Sequence, residues 1–293
     1  MIAPMSKAHL SAIGRIDTVC FGRKSERTRE NLEALLETSS GGAYVSLDGV
    51  EVTGYVFTRV LGKTAYIGPL GVDPGAQNRG VGRQLMNAAM QFLKPQCSTL
   101  GLEMRPESGK NIGLYQSLGF VTGFPSIDYV FPESIDMPQD TGVTICELVS
   151  EPDEILVDQI SAASDIHFDG TDYGAELRWA MNRQRGTVLV ATASGSAIGF
   201  LANVPDLLPM AWGAIIPAQN DEGVMLALLA EMARLTQPTT PVLRVNTAHQ
   251  RIHRLLVGKR FRSLRSCNRM FLQDYLEGQM CTKHPLVIRA WIG

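Results

Sequence analysis

Between Gly71 and Met86 the chain reads "GVDPGAQNRGVGRQLM". Gln77, Arg79 and Arg83 offer donors, and Gly80 and Gly82 present bare backbone just before an apolar helical stripe. A strand, a glycine turn and a helix start aim unpaired backbone N–H groups at one point, which suits an anion. Missing Cβ atoms let a phosphate approach the main chain. The expected chemistry is binding of a phosphorylated ligand. Two familiar loops are excluded or weakened. No G-x-x-x-x-G-K-[ST] string is present, so a Walker loop is absent. A dinucleotide fingerprint would need a third glycine where Leu85 stands, although Glu103 follows at about the right distance for a ribose-binding acid. The string that is complete is Q-x-x-G-x-G, at Gln77, Gly80 and Gly82.

The elements that must hold this loop can be read from periodicity. Helical spacing follows Ser6 in "KAHLSAIGRIDTVCF" and again follows Ser25 in "ERTRENLEALLE". From Ala43 to Val72 β-branched and aromatic residues, broken at "DG" and "LGK", predict three hairpin-linked strands. "VGRQLMNAAMQFLK" predicts a helix with Val81, Leu85, Ala89 and Phe92 on one stripe. "STLGLEM" predicts a buried strand, "SGKNIGLYQSLGF" a short helix stopped at Gly119, and "VTGFPSIDYVF" a closing strand. A Pro- and Gly-bearing stretch, "PESIDMPQDTG", reads as a linker. Beyond it the same order of elements starts again. At 293 residues, two units are expected, residues 1–135 and 143–293.

With the loop and the later "LYQSLGF" block at that spacing, the chain resembles the GNAT family, the GCN5-related N-acetyltransferases, over about residues 2–131. The repeated plan resembles a subset with two tandem GNAT-like domains, the second without a recognisable cofactor loop. The resemblance implies a mixed α/β fold of α+β type, with a mostly antiparallel sheet flanked by helices in each domain. It implies an acyl-CoA-dependent N-acyltransferase, acetyl-CoA as co-substrate, and a small-molecule or protein amine as acceptor. An acyl-CoA-binding regulatory module without turnover is the alternative.

The resemblance places the pyrophosphate on Gln77, Asn78, Arg79, Gly80, Val81, Gly82 and Arg83. It places the pantetheine and the oxyanion donor along Leu70, Gly71 and Val72. Tyr115 matches the family's general acid for the leaving thiolate; read from the residue alone, it is a packing aromatic on a short helix. The family often has an asparagine seven residues before that tyrosine. Here Ser108 stands there, with Asn111 following, and either is a candidate cofactor contact. Glu103, on the strand expected beside the thioester, is the candidate general base or else a strand-end carboxylate facing water.

Composition narrows the rest. There are 27 Lys and Arg against 29 Asp and Glu, a net charge of -2, so no global field favours nucleic acid or an anionic membrane. Nucleic acid is not an expected partner, and an oligomer is left open. Five scattered cysteines without a C-x-x-C suggest reduced thiols and a cytoplasmic protein. Neither a leader pattern nor an apolar run of about 18 residues is seen. His249 and His253 have chelating spacing but lack a third ligand, so no metal is expected. Seven Lys and Arg between Arg251 and Arg269 are a solvated face or a partner surface. Asp165, Asp169 and Asp172 either overhang the cleft, favouring a cationic amine, or cap a loop.

Overall fold

The computed structural model describes residues 1–136, 142–149, 154–168, 170–183, 186–205, 210–216, 221–275 and 287–288. Strand β1 (Ile2–Pro4) is followed by α1 (Leu10–Phe21) and α2 (Arg29–Thr38). α1 ends at Gly22, whose φ of 58° closes the helix in the left-handed region. α2 begins later than Ser25 suggested. Thr28 is its cap, with its hydroxyl accepting from the Asn31 amide at 3.2 Å.

The three expected strands are β2 (Tyr44–Asp48), β3 (Glu51–Leu61) and β4 (Thr64–Val72). They pair antiparallel through two-residue turns, Asp48 facing Glu51 and Leu61 facing Thr64. Next come α3 (Val81–Leu93), β5 (Thr99–Met104) and α4 (Gly109–Gln116). The single closing strand expected from "VTGFPSIDYVF" is two strands, β6 (Phe120–Thr122) and β7 (Ser126–Val130). Pro125, which has no N–H to give a ladder, lies in the break.

The second half repeats the plan: β8 (Thr144–Glu147), α5 (Glu154–His167), α6 (Gly174–Arg183), β9 (Thr187–Ala193), β10 (Ser196–Asn203), β11 (Met210–Ile215), α7 (Asp221–Thr236), β12 (Val242–Asn246), α8 (Gln250–Gly258) and β13 (Arg262–Leu272), then β14 (Val287–Ile288). Much of the linker stretch, residues 137–141, lies outside the described residues, as do Asp169 and Cys281.

One mixed, mostly antiparallel sheet runs through both halves in the order β1-β2-β3-β4-β5-β13-β7-β12-β11-β10-β9-β8. The halves exchange strands at its centre. β7 leaves its own half to pair with β12, and the end of β13 pairs with β5 and β6. Element order in the sequence does not reveal this exchange, because a swapped strand has the same pattern as an unswapped one.

Three apolar clusters cover the sheet. α3 packs Leu85, Met86, Ala89, Met90 and Leu93 on the first half. α7 and α8 pack on the second half. On the opposite face one cluster is shared: α1 and α2 side chains such as Ile13 and Leu35 join α5 and α6 side chains such as Ile160 and Leu177. Polar contacts cross there as well. Arg59 pairs with Glu176, Thr64 Oγ1 meets Thr171 Oγ1 at 2.8 Å, and Trp179 Nε1 donates to Glu37 Oε2 at 3.3 Å. No helix among the described residues is long and apolar enough to cross a membrane.

Candidate active site

β4 and β5 run side by side only from Thr64–Tyr66 against Thr99–Gly101. Beyond that they part. β4 from Ile67 to Val72 keeps β3 alone, and β5 from Gly101 turns to β13. The divergence frees one backbone edge of β4 at Leu70, Gly71 and Val72, and a cleft of about 330 Å³ opens there.

The loop that follows is bent for an anion. Asn78 (φ 63°) and Gly80 (φ 81°) are both left-handed, which curves the backbone into a concave array of N–H groups. Gly80 is the N-cap of α3, and no side chain caps that helix start. Its first turn holds no acid. The helix-start amides and the positive end of the dipole therefore face the cleft. A Cβ on Gly82 would meet only Leu114 Cδ2 at 3.5 Å and Val72 Cγ2 at 3.7 Å. Packing does not require glycine at 82.

Most of the expected cofactor residues come together in the lining: Leu70, Gly71 and Val72 from β4, Gln77, Asn78 and Gly80 from the loop, Val81, Gly82 and Arg83 from α3, and Asn111 from α4. Arg79 is exposed and not in the lining, and neither is Ser108. Ser108 holds the N-cap position of α4 without a side-chain capping bond. Gln77 does not point a free amide at the cleft. Its Nε2 donates to the Val72 carbonyl at 3.0 Å, and its Oε1 accepts from Lys110 Nζ at 2.8 Å. Arg83 Nη2 donates to Ser117 Oγ at 2.7 Å, which ties α3 to the end of α4.

Sequence reasoning missed three lining residues. Lys110 brings an ammonium on the first turn of α4, and Cys20 and Phe21 arrive from the end of α1. The α1 residues carry no local signal, since only the tertiary fold brings them to β4. Cys20 Sγ donates to the Val72 carbonyl at 3.2 Å. Burial pushes its thiol up, so it stays a protonated donor.

Tyr115 is buried among the α3 cluster, its ring edge-on to Phe120 at 6.1 Å. It is not in the lining, although its neighbours Asn111 and Leu114 on α4 are. Burial pushes its phenol up to about 12. Glu103 needs correction. It does not stand beside the free edge of β4, because β5 carries it away to β13. Its Oε1 accepts from Ser126 Oγ at 2.8 Å and its Oε2 from Arg244 Nη1 at 3.0 Å. Both oxygens are engaged in a buried seam between the halves, which leaves no free base there.

The matching position in the second half is built differently. Asp221 and Glu222 open α7, and Arg251 bridges them, at 2.7 and 2.9 Å to Asp221 and 3.1 Å to Glu222. Met225, aligned with Gly82, is fully buried. Carboxylates paired in this way satisfy the helix dipole and repel a second anion.

The other sequence candidates have structural duties. His253 uses both ring nitrogens, Nδ1 on the Tyr129 hydroxyl at 2.8 Å and Nε2 on the Asn246 carbonyl at 3.0 Å. Among the described residues no group of three or more His, Cys, Asp or Glu could hold a metal ion. Asp172 Oδ1 accepts from Ser161 Oγ and from the Gly174 amide, both at 2.7 Å, capping α6. Its segment lies against Lys63 and Thr64, at the opposite end of β4 from the loop, so it does not overhang the cleft.

Residues 10–120 match the family model described as Acetyltransferase (GNAT) family, which places that stretch of the chain in the superfamily. It is 33% identical over 76 residues to the N-alpha-acetyltransferase RimI of Mycobacterium tuberculosis, a stretch covering 25% of this chain and 47% of that protein. The chain thus matches about half the length of that curated relative. Solved structures extend the likeness over both halves. A Pyrococcus horikoshii chain described as an acetyltransferase aligns with a TM-score of 0.70 at 18% identity, over 99% of this chain and 94% of its own. A tandem GNAT protein from the clavulanic acid biosynthesis pathway aligns with a TM-score of 0.61 at 14% identity, over 92% and 97%. At such identities the likeness is one of fold.

Proposed function

We propose that the chain is an N-acyltransferase that takes an acetyl group from acetyl-CoA and passes it to a primary amine of a small molecule or a protein. The observation that carries this reading is the uncapped, acid-free start of α3, with unobstructed Gly82, at the free edge of β4. We divide the labour between residues 1–135, which carry the cofactor site, and residues 143–293, whose acidic α7 start makes a second such site unfavourable.

In this reading the α3 amides and Lys110 hold the pyrophosphate. Gln77 acts as a positioning residue, since it fixes Lys110 and the Val72 carbonyl together. The β4 edge near Leu70 donates a backbone N–H to the oxyanion that forms when the amine nitrogen attacks the thioester carbonyl. The C–N bond forms, the C–S bond breaks, and a proton lost by the amine ends on the sulfur. Tyr115 donates a hydrogen bond to the departing thiolate. No single base is assigned; the amine, with a pKa of ~10 when free, loses its proton to solvent or to its surroundings in the cleft.

Release of CoA thiol from acetyl-CoA in the presence of a panel of amines and N-terminal peptides tests the activity. Turnover with at least one acceptor supports it. Tight binding of acetyl-CoA without any turnover would instead favour a binding module. A valine at Gly82 puts a branched side chain where the phosphates approach. Gly82→Val is expected to weaken acetyl-CoA binding tenfold or more, about 1.4 kcal/mol. Calorimetry on the folded variant checks this, and an unchanged affinity would sink the loop assignment.

A further inference from the structure

The end of α1 carries a charge arrangement that acyl-CoA binding does not account for. Asp17 is buried, its side chain 1% exposed. Its Oδ1 accepts from the Tyr55 hydroxyl at 2.6 Å, and its Oδ2 accepts from Arg23 Nε and from Arg27 Nε, the latter at 3.3 Å. Tyr55 lies directly beneath Gly71 of the cleft, where an added Cβ would come within 2.5 Å of its ring. One carboxylate thus faces two guanidiniums. Arg27, 12% exposed, together with Tyr55 already satisfies a buried acid, so the charge of Arg23 is surplus. Arg23 is held in place all the same. Its Nε is bound to Asp17, and its guanidinium lies over the Phe21 ring at 5.2 Å. Phe21 is itself a wall of the cleft. The side chain of Arg23 is 33% exposed, and its terminal nitrogens have no partner among the described residues.

Resting on the acyltransfer reading above, we propose that Arg23 reads a carboxylate on the acceptor, so that the acceptor is an amino acid or a similar small amine bearing an acid group. A guanidinium presents a planar pair of N–H donors that fits a carboxylate. Asp17, Tyr55 and Arg27 hold this fork rigid, which lowers the cost of ordering it when the acceptor arrives. The anchor would fix the amine end toward the free edge of β4.

The test supplies each of the twenty L-amino acids, its primary amide and its decarboxylated amine with acetyl-CoA, and follows CoA thiol release. At least one amino acid should be used about ten- to a hundredfold better, as kcat/KM, than its amide, the range expected for a charged hydrogen-bonded pair. Arg23→Met should shrink that acid-to-amide ratio to within about threefold, and Arg23→Lys should keep part of it. A ratio between two substrates does not change when part of a preparation is misfolded. Equal use of acids and amides by the natural protein overturns the inference and leaves acyltransfer standing, as does an Arg23→Met variant that keeps the ratio. Transfer to none of these compounds overturns it as well; acyltransfer itself falls only if the wider amine and peptide panel is also silent. An Arg23→Met variant whose main defect is a tenfold loss of acetyl-CoA affinity assigns Arg23 to the CoA phosphates and overturns it too.

Discussion

Tyr115→Phe is expected to lower turnover about 10²-fold while acetyl-CoA affinity stays close to that of the natural protein. The phenol contributes when negative charge develops on sulfur, so its loss is felt in kcat more than in binding. The low end of the usual ~10²–10⁴-fold range for acid catalysis applies here. Burial has pushed Tyr115 up to about 12, whereas a thiol sits near ~8.5. Full proton transfer to the thiolate is uphill, and the hydroxyl serves chiefly as a hydrogen-bond donor. The raised value also keeps the proton on Tyr115 throughout the neutral and mildly alkaline range. An alkaline fall in rate between pH 8 and about pH 10 therefore belongs to another group. Steady-state kinetics on a proven acceptor checks the claim. Near-normal turnover in Tyr115→Phe would return the residue to its packing role against Phe120.

Arg244→Leu is expected to destabilise the fold by about 3–5 kcal/mol, the cost of removing the buried cation that two buried carboxylates share. Arg244 stands on β12, 5% exposed, and binds Asp128 through Nε and Nη2 at 2.5 and 2.8 Å and Glu103 through Nη1 at 3.0 Å. Arg265 adds a bond to Asp128 at 2.7 Å. Although burial works against its charge, Glu103 and Asp128 hold the Arg244 guanidinium above its ordinary value. These residues come from β5, β7, β12 and β13, so one network ties together the exchanged strands. A domain has only about 5–15 kcal/mol of net stability, so the loss should be plain in a urea midpoint. Adding Glu103→Gln and Asp128→Asn removes the two carboxylate charges and should recover part of it. An unchanged midpoint in Arg244→Leu contradicts the view that this network secures the seam.

The glycine loop and the cleft it lines were legible because their signals are local. Gln77, Gly80 and Gly82 report backbone geometry within one turn of chain, and α3 carries its own apolar stripe. Residues that reach the site through the tertiary fold were not legible. Cys20 and Phe21 sit at the end of an ordinary amphipathic helix, and nothing in their spacing says that the helix ends at β4. Glu103 misled for a related reason. Its strand is where the family resemblance implies, but β5 diverges from β4 after Gly101 and takes the carboxylate into the exchanged seam. Strand exchange is invisible in a pattern of alternating residues, because either half's edge accepts the same strand. Gln77 fits the motif by type, yet its amide is spent on Val72 and Lys110, a division of labour that only coordinates reveal.

Calorimetric titration of the whole chain with acetyl-CoA tests whether the loop before α3 is an acyl-CoA site and the α7 start is not. One binding event per chain, weakened tenfold or more by Gly82→Val and untouched by Met225→Ala, is the predicted result. Two binding events, or none, or a single event that Gly82→Val leaves unchanged, would contradict it.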